Sequence, residues 1–239
     1  MEIAELWRYP VKSMLGESCH CLELDARGVK GDRIYAIRDA NGKFGSGKNT
    51  RRFRKIEGLA AFTATLVEDQ PSIVFPDGTT MRGDAQSIDS ALSSTLGQAV
   101  TLAREASVSH LDAGPVHILT TSSLAWLKHR LPGCGIDARR FRPNIVVDAP
   151  GEELVERDWL GKTIMIGDVT LKIQDQTERC GMVAFQQTGL AFEPRILRTI
   201  TQQAGLQFGV YADVVDPGRI DKSDPVLVVG GGQRYSDVL

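Results

Sequence analysis

The sequence predicts a mainly β protein with a few helices, in the α+β class, with a β-barrel as its core. Three observations favour this class. Short runs of alternating polar and apolar residues recur along the chain, glycine-containing turns separate them at close spacing, and only three segments carry the end signals of a helix. Many short strands with close turns are typical of a barrel or of curled sheets decorated by helices.

The first hundred residues contain most of the strand signals. The predicted strands of this region are residues 2–9, 20–24, 34–38, 62–67 and 72–75. Residues 39–43 (Asp-Ala-Asn-Gly-Lys) have the composition of a hairpin turn. We therefore expect an N-terminal region of short strands joined by tight turns.

Three helices are predicted from their end signals. Each begins at a serine cap or at a Glu-Pro pair and ends at a glycine. The predicted spans run from Ser87 to Gly97, from Ser122 or Ser123 to Gly133, and from Glu193-Pro194 to Gly205. Apolar residues recur at helical spacing in each span, so each helix is expected to bury one face.

Composition and charge exclude several classes of protein. The chain has 239 residues and a net charge of −2, which gives no reason to expect nucleic acid or an anionic membrane as a partner. Its beginning lacks the features of a signal peptide, and no apolar stretch approaches the ~20 residues of a membrane span. The four cysteines are spaced unlike a disulfide framework, and Cys19 and Cys21 have no second pair at zinc spacing. We expect a cytoplasmic protein in a reducing compartment.

The most prominent polar motif is the run 139–147, Arg-Arg-Phe-Arg-Pro-Asn-Ile-Val-Val. If this run is extended, Arg140, Arg142 and Asn144 point to one face of the strand and the apolar residues point to the other. Two guanidiniums and an amide on one face suit a phosphate or a carboxylate. The alternative is a solvated basic edge held by salt bridges.

Three shorter motifs add candidate contacts for an anion, namely Lys12, Ser13, Arg33, Thr121 and Ser122. Thr121 and Ser122 belong to a Thr-Thr-Ser-Ser junction between an apolar run and a predicted helix, where unpaired backbone N–H groups attract anions. The lysine and the arginine lie at the ends of predicted strands. The alternatives are a plain helix cap, an exposed loop lysine, and an arginine that only pairs with Asp32 or another acid.

One thiol is the leading candidate for chemistry. Cys180 follows a predicted strand and precedes Gly181, which leaves room beside the sulfur. The thiolate is the reactive and metal-binding form of cysteine, and nearby cations favour it. In an extended segment Arg179 points away from Cys180, so Arg140 or Arg142 would supply the charge. The alternative is a buried, inert cysteine.

Taken in chain order, these motifs closely resemble those of the MOSC (molybdenum cofactor sulfurase C-terminal) domain proteins. The match rests on Tyr-Pro-Val-Lys-Ser near the start, Gly-Asp-Arg before a strand, the Thr-Thr-Ser-Ser junction, Arg-Phe-Arg-Pro-Asn and a later Glu-Arg-Cys, and it covers nearly the whole chain. The resemblance implies a MOSC N-terminal β-barrel-like domain over residues 1–100 and a MOSC domain over 101–230. A composition shift within 99–113 marks the boundary, and the glycine-rich tail, 231–239, is expected to be mobile.

The resemblance also implies a cofactor, the molybdenum cofactor, which is a pyranopterin (molybdopterin) held at a basic cleft. Cys180 would ligate the molybdenum and act as the catalytic residue. The residues implied to contact the phosphate and the pterin are Lys12, Ser13, Arg33, Thr121, Ser122, Arg140, Arg142 and Asn144. At the level of the family, the resemblance further allows binding of pyridoxal phosphate.

Three functions stay open for such a site. The first is a molybdenum-dependent oxidoreductase that reduces N-hydroxylated or related oxygen-bearing small molecules. It would need an external electron-donor protein, because the chain has no flavin, haem or iron–sulfur ligand pattern. The second is a sulfur-transfer protein that carries a persulfide on Cys180 and takes sulfur from a donor, and the third is a non-catalytic cofactor carrier. The reductase branch of the family usually has a second cysteine where this chain has Glu178.

Overall fold

The computed structural model describes residues 1–230, so the tail predicted to be mobile, 231–239, lies outside the described residues. The mainly β, α+β class is confirmed, because residues 1–230 form eighteen strands and three α-helices. None of the helices in this part of the chain is long and apolar enough to cross a membrane.

The elements are numbered in chain order. The strands are β1 (Glu2–Arg8), β2 (Glu17–Cys19), β3 (Cys21–Asp25), β4 (Gly28–Val29), β5 (Tyr35–Asp39), β6 (Phe44–Ser46), β7 (Phe53–Lys55), β8 (Thr63–Val67), β9 (Gln70–Val74), β10 (Thr80–Arg82), β11 (Val100–Arg104), β12 (Val116–Thr120), β13 (Ile145–Asp148), β14 (Thr163–Ile166), β15 (Val169–Glu178), β16 (Gln207–Asp216), β17 (Gly218–Asp221) and β18 (Val226–Val229). The α-helices are α1 (Ile88–Leu96), α2 (Thr121–Arg130) and α3 (Arg195–Ala204). Short 3₁₀ helices occupy Leu59–Ala61, Ala138–Arg140, Val155–Trp159 and Gly181–Ala184.

One eight-stranded sheet forms the larger part of the fold, in the order β18-β14-β15-β16-β12-β13-β1-β2. Its neighbours are antiparallel except β12 and β13, which run parallel. The expectation of a closed barrel is wrong, because within residues 1–230 the two edge strands do not pair with each other. The chain leaves one edge after the three residues of β2, and β3 pairs with β17 in a separate sheet. The other edge contacts the chain start, where the Val226 amide donates to the Met1 carbonyl at 2.8 Å.

Three smaller sheets, in the orders β11-β5-β6-β7, β10-β9-β8 and β17-β3-β4, complete the β-structure. The turn predicted at residues 39–43 joins β5 to β6, and the Asp39 carboxylate accepts hydrogen bonds from the Asn41 and Lys43 amides at 2.9 and 2.8 Å. In chain order, β11 is the last strand of the sheet β11-β5-β6-β7. Residues 105–115 therefore connect this sheet to β12 of the eight-stranded sheet. That linking segment carries residues of the candidate site described below.

Three apolar clusters hold the segments that carry the predicted site residues. The largest lies within the eight-stranded sheet around Ile118. The second lies beneath the sheets β11-β5-β6-β7 and β10-β9-β8 and α1, and it includes Val11 and Met14, which flank the predicted contacts Lys12 and Ser13. The third joins α2 and α3. Burial of apolar area contributes roughly 25 cal/mol per Å², so these clusters fix the backbone on either side of the site.

The three predicted helices are confirmed, but α2 differs from the prediction at both ends: no serine caps its start, and it ends at the cap residue Leu131 rather than at Gly133. Helices α1 and α3 end at Gly97 and Gly205, which adopt the left-handed conformation expected of a C-terminal glycine. For α2 the expected serine cap is wrong. Thr120 still has extended backbone, and its hydroxyl accepts a hydrogen bond from the Ser123 amide at 3.0 Å. The helix therefore begins one residue before Ser122.

Candidate functional site

Four basic side chains from distant parts of the sequence converge on one region, and we call Lys12, Arg33, Arg142 and Arg179 the cationic cluster. Lys12, Arg33 and Arg179 are only 3%, 5% and 8% exposed, which is uncommon for charged side chains. Arg33 donates to the Arg142 carbonyl at 3.3 Å, so the N-terminal and C-terminal members are in direct contact. Neither half of the chain supplies the cluster alone.

Asp112, in the segment between β11 and β12, joins the two N-terminal cations. Its carboxylate accepts a hydrogen bond from the Lys12 ammonium, and its second oxygen lies 3.2 Å from Arg33 Nε. Burial acts to raise the pKa of the Asp112 carboxyl, but the charges of Lys12 and Arg33 hold that pKa well below its usual range. Asp112 is therefore ionised near neutral pH.

Arg33 has a second acidic partner. Asp32 is fully buried, forms an ion pair with Arg33, and accepts a hydrogen bond from the Tyr9 amide at 2.7 Å. The sequence left open whether Arg33 belongs to a pocket or only pairs with an acid. In the structure it pairs with Asp32 and Asp112 and still lies among the other cations.

Arg142 has fewer partners than its charge requires. Its guanidinium carbon lies 4.3 Å from the centroid of the Tyr9 ring, and Nη1 donates to the Met14 carbonyl. Its Nη2 is buried and has no hydrogen-bond partner among the residues described. Burial, followed by the charge of Arg33, lowers the pKa of Arg142 to about 10. An unpartnered buried donor costs about 1–3 kcal/mol, and a bound anion would remove this penalty.

Arg179 is another member with an unpartnered nitrogen among the described residues. Its Nη2 donates to the Phe141 carbonyl at 2.8 Å and lies 3.4 Å from His117 Nε2, whereas its buried Nε has no partner within residues 1–230. Burial lowers the pKa of Arg179. The pKa of His117 lies far below its usual value, mainly because of burial and secondly because of the nearby charge of Arg179. The imidazole is therefore neutral and adds no further positive charge to the cluster.

Three of the predicted contact residues adopt an uncommon backbone conformation. Ser13, Arg33 and Arg142 have φ angles of 70°, 50° and 56°, in the left-handed region. The described part of the chain has six non-glycine residues with positive φ, so half of them lie at this site. Such conformations persist where the surrounding structure imposes them, and they gather at functional sites.

The expectation that Arg140, Arg142 and Asn144 share one face of a strand is wrong. Residues 138–140 form a 3₁₀ helix, and Arg142, which precedes a proline, adopts the left-handed conformation. The strand β13 begins only at Ile145. The polar side chains of this motif therefore meet different partners.

Arg140 binds the chain segment that follows Cys180. Its side chain is almost fully buried and donates hydrogen bonds to the carbonyls of Val183, Phe185 and Ala191 at 3.4, 3.1 and 2.7 Å. Hydrogen bonds from a charged donor are stronger than those between neutral groups. Arg140 thus fixes the position of a segment that forms one wall of the cleft described below.

The other predicted contacts also have protein partners. These partners are the Gly45 carbonyl for Ser13 at 3.0 Å, the Asp148 carboxylate for Thr121 at 2.8 Å, the Glu153 carbonyl for Ser122 at 2.9 Å and the His117 amide for Asn144 at 3.1 Å. Each of these bonds ties a loop or strand end to a neighbouring element. The direct contact of these four side chains with a ligand stays a prediction.

Cys180 lies at the edge of the cationic cluster. It is exposed and directly precedes the 3₁₀ helix Gly181–Ala184. Its neighbour Arg179 is buried, as expected when two successive residues of an extended segment face opposite sides. Cys180 directly follows Arg179 in the chain, so the thiol lies next to a member of the cluster.

A cleft of about 810 Å³ adjoins this region. One wall comes from residues 55–61 and the other from residues 185–192, and its lining includes Ser13, next to Lys12, and Met182, two residues after Cys180. Gln187 also lines the cleft. Its side chain is buried, and its Oε1 accepts no hydrogen bond within the part of the chain that the structure describes.

Sequence reasoning missed several members of this site. No local motif marks Asp112, because its role depends on a contact with Lys12 across 100 residues of chain. Tyr9 was part of a recognised motif without a role of its own. The sequence does not predict Arg179 as a contact residue, because in an extended segment it points away from Cys180; its position directly before the cysteine is the signal that marks it.

The fold and the site together define a class of protein: a mainly β, α+β fold with a buried cationic cluster suited to an anion, beside an exposed cysteine. Comparison with protein families places the chain within that class. The model for the MOSC domain matches residues 105–227, and the model for the MOSC N-terminal beta barrel domain matches residues 1–113. The chain belongs to the MOSC-domain family, and the resemblance seen in its motifs is confirmed.

Known proteins with similar sequences, and one solved structure, are consistent with this family membership. The chain is 26% identical to mitochondrial amidoxime-reducing component 1 of Mus musculus, over 95% of this chain and 82% of that protein. It is 43% identical to a molybdenum cofactor sulfurase of Bombyx mori over 36% of this chain, but it spans only 10% of that protein. The crystal structure of the YUAD protein from Bacillus subtilis matches with a TM-score of 0.54 and 12% identity, over 95% of this chain and 94% of that one, which shows a shared fold.

Proposed function

We propose that this protein binds the molybdenum cofactor and, as an oxidoreductase, reduces N-hydroxylated or related oxygen-bearing small molecules with electrons from an external donor protein. The observation that carries the proposal is a cluster of four cations beside the exposed Cys180, in which the buried Arg142 Nη2 and Arg179 Nε have no hydrogen-bond partner within residues 1–230. Membership of the MOSC family and the likeness to an amidoxime-reducing component support it.

The charges and donors at the cationic cluster fit an anionic pterin. Its four cations face two carboxylates, those of Asp32 and Asp112, so positive charge is in excess. Guanidiniums bind phosphate oxygens as a fork, and a lysine adds a point charge. An anion at the cluster would also satisfy the unpartnered donors. We therefore assign the phosphate-bearing end of the cofactor to the cationic cluster.

We assign Cys180 as the thiolate ligand of molybdenum. Within residues 1–230, no three His, Cys, Asp or Glu side chains are grouped as a metal site would need, so the other ligands would come from the cofactor itself. A soft thiolate suits such a metal. When bound, the cofactor supplies a metal centre that exchanges two electrons with an oxygen-bearing substrate.

The remaining predicted residues shape the site in this proposal. Arg140 holds the wall of the cleft that follows Cys180, and Asn144 connects β12 to the end of β1 through the His117 amide and the Trp7 carbonyl. The hydroxyls of Ser13, Thr121 and Ser122 fix neighbouring loops; that they also contact the cofactor is part of the proposal. Residues that hold contact residues in place are needed for tight, oriented binding.

We assign the cleft beside Met182 to the substrate. Its apolar lining residues are Ile56, Leu59, Ala60, Ala61, Met182, Phe185 and Phe192. The charged residues of the lining, Lys55 and Glu57, form an ion pair at 2.7 Å, so the cleft carries no net charge. A neutral molecule with an apolar body fits such a cleft better than an ion does. The Gln187 carbonyl would accept a hydrogen bond from an N–H or O–H group of that molecule.

An amidoxime is a substrate of this chemical class. Its reduction to an amidine breaks the N–O bond, releases water and consumes two electrons and two protons. A separate donor protein would supply the electrons, because the sequence has no ligand pattern for haem or an iron–sulfur cluster.

The direct test is to purify the full chain from cells that make the cofactor and to measure molybdenum and pterin per chain. Reduction of benzamidoxime is then followed with a chemically reduced viologen as the electron source. We expect close to one molybdenum per chain and formation of the amidine. A folded chain that contains no molybdenum would overturn the proposal.

A sulfur-transfer function is the second candidate, because Cys180 is exposed and the chain resembles part of a molybdenum cofactor sulfurase. In that case the thiol would carry a persulfide. Mass spectrometry of the purified chain would then show a cyanide-labile sulfur on Cys180, and the benzamidoxime assay would show no activity. Amidine formation without such a sulfur favours the oxidoreductase.

A further inference from the structure

The Asp112 carboxylate contacts two members of the cationic cluster. One oxygen of its carboxylate binds the Lys12 ammonium, and the other lies 3.2 Å from Arg33 Nε. The side chains of Lys12 and Arg33 are 4% and 6% exposed, whereas that of Asp112 is 43% exposed. The acid therefore covers the two cations on the solvent side.

The segment that carries Asp112 is fixed on both sides of it. Before it, Glu105 forms two hydrogen bonds of 2.7 Å with the Arg27 guanidinium. After it, Gly114 lies so close to Tyr211 that a β-carbon on the glycine would be 2.7 Å from the tyrosine side chain. The contacts of Asp112 with the two cations are made by its side chain, so a change of side-chain rotamer would uncover the cations without moving the segment.

Charge decides what kind of ligand can replace this carboxylate. Without Asp112, the four cations face Asp32, which is fully buried and held by Arg33 and by the Tyr9 amide. A singly charged ion that displaced the Asp112 carboxylate would leave the negative charge at the cluster unchanged. A phosphate dianion brings a second negative charge and additional acceptor oxygens for the guanidiniums.

We propose that Asp112 is an internal competitor for the anion site, which covers the cationic cluster when no ligand is bound and is displaced when a phosphate-bearing ligand binds. Asp112 is then a specificity-determining residue, because a ligand must offer more than the single charge that it displaces. The inference rests on the proposed function only for the identity of the phosphate-bearing ligand, and it gives a role to a residue that the proposed function leaves unused.

The test compares the binding of inorganic phosphate to the full chain and to Asp112→Asn, with protein from cells that do not make the cofactor. Isothermal titration calorimetry near neutral pH and at low ionic strength gives the two affinities. The substitution keeps the size of the side chain and removes its charge, so we expect Asp112→Asn to bind phosphate about tenfold more tightly. Asp112→Glu, which keeps the charge, is expected to bind phosphate as weakly as the wild type.

Asp221→Asn is the matched control for net charge. Its carboxylate pairs with exposed Arg219 at 3.0 Å, away from the cationic cluster, and we expect the phosphate affinity of the wild type. Equal or weaker binding by Asp112→Asn would overturn the inference, because Asp112 would then organise the cations rather than compete for them. Asp112→Ser provides a second neutral variant if the first does not fold, with the same expected gain.

The failure of this inference and the failure of the proposed function are distinguishable. A chain without molybdenum whose Asp112→Asn variant still gains phosphate affinity would overturn only the proposed function. A chain with its full molybdenum content and equal phosphate affinities in wild type and Asp112→Asn would overturn only the role of Asp112.

Discussion

The guanidinium of Arg142 lies over the ring of Tyr9, with 4.3 Å between the guanidinium carbon and the ring centroid. Arg33 approaches the same ring at 5.1 Å, so one aromatic side chain contacts two cations that are distant in sequence. Burial raises the pKa of the Tyr9 hydroxyl far above its usual value, so the ring stays neutral. Tyr9 therefore helps to hold like charges together in a site that has an excess of them.

Arg142→Met is predicted to weaken cofactor binding and, at the same time, to stabilise the fold. Burial and the charge of Arg33 disfavour the charged form of Arg142, so its removal should raise the free energy of unfolding of the cofactor-free chain by about 1 kcal/mol. The same change should lower the pterin content of protein from cofactor-making cells severalfold. Urea unfolding and pterin analysis measure the two effects. Arg219→Met, at an exposed position, is the control expected to change neither quantity.

An unchanged pterin content together with lower stability in Arg142→Met would contradict this prediction. Arg142 would then be a structural residue whose bond to the Met14 carbonyl matters more than its charge.

Gln187→Leu is predicted to weaken substrate binding. The variant removes the buried carbonyl that accepts no hydrogen bond among residues 1–230, and it keeps a side chain of similar volume. We expect the KM for benzamidoxime to rise about tenfold with little change in kcat, because the lost hydrogen bond serves ground state and transition state alike. Gln186→Leu, with an exposed side chain in the same cleft, should keep the wild-type KM. A fall in kcat at constant KM would argue against this role for Gln187.

Gly47→Ala tests the close packing of Met182 and Phe185 against Gly47 in the lining of the cleft. A β-carbon at this position would lie 2.6 Å from Met182 Cγ and 2.8 Å from Phe185 Cε2, so both side chains must move. We expect a loss of about 1–3 kcal/mol in the free energy of unfolding, as for other insertions into packed regions. Gly135→Ala, where a β-carbon would meet its nearest atom at 3.5 Å, should stay close to the wild type in thermal or urea unfolding. Equal stability of the two variants would mean that Met182 and Phe185 are less tightly packed against Gly47.

Acid is predicted to destabilise the chain through two buried histidines. Burial lowers the pKa of His110 to about 4 and, with the charge of Arg179, lowers that of His117 far below its usual value. Between about pH 6.5 and pH 4.5 the unfolded chain takes up protons that the folded chain does not, so the free energy of unfolding falls as the pH falls. Each histidine contributes up to about 1.4 kcal/mol per pH unit.

Urea unfolding across this pH range measures that slope. His110→Gln should reduce by about half the part of the slope that the two buried histidines cause. The side chain of His129 is 70% exposed, and His129→Gln should leave the slope unchanged. A slope that His110→Gln does not alter would contradict the prediction.

The sequence predicts those parts of the fold that depend on local signals. Gly97 and Gly205 end helices because a left-handed residue terminates the hydrogen-bonding pattern, and residues 39–43 form their turn through the Asp39 carboxylate. The resemblance of the motifs to a known family singled out Lys12, Arg33 and Arg142 as site residues, and the structure brings these three together.

Features that depend on contacts between distant segments could not be predicted in this way. Strand alternation places Arg140 and Arg142 on one face only if the backbone is extended, and a 3₁₀ helix and a positive φ angle break that condition. Closure of the barrel depends on which strands meet at the sheet edges, which no local pattern specifies. Asp112 contacts Lys12 across 100 residues, so its place in the site appears only in the folded chain.

The most direct test of the central claim, that the cationic cluster holds the pterin and Cys180 holds the metal, is molybdenum and pterin analysis of the wild type beside Cys180→Ala. Both proteins are purified in the same way from cells that make the cofactor. The account predicts that Cys180→Ala loses molybdenum and retains pterin, because the cations supply most of the affinity for the organic part. Retention of both metal and pterin by Cys180→Ala would contradict it and would make Cys180 an ordinary exposed thiol.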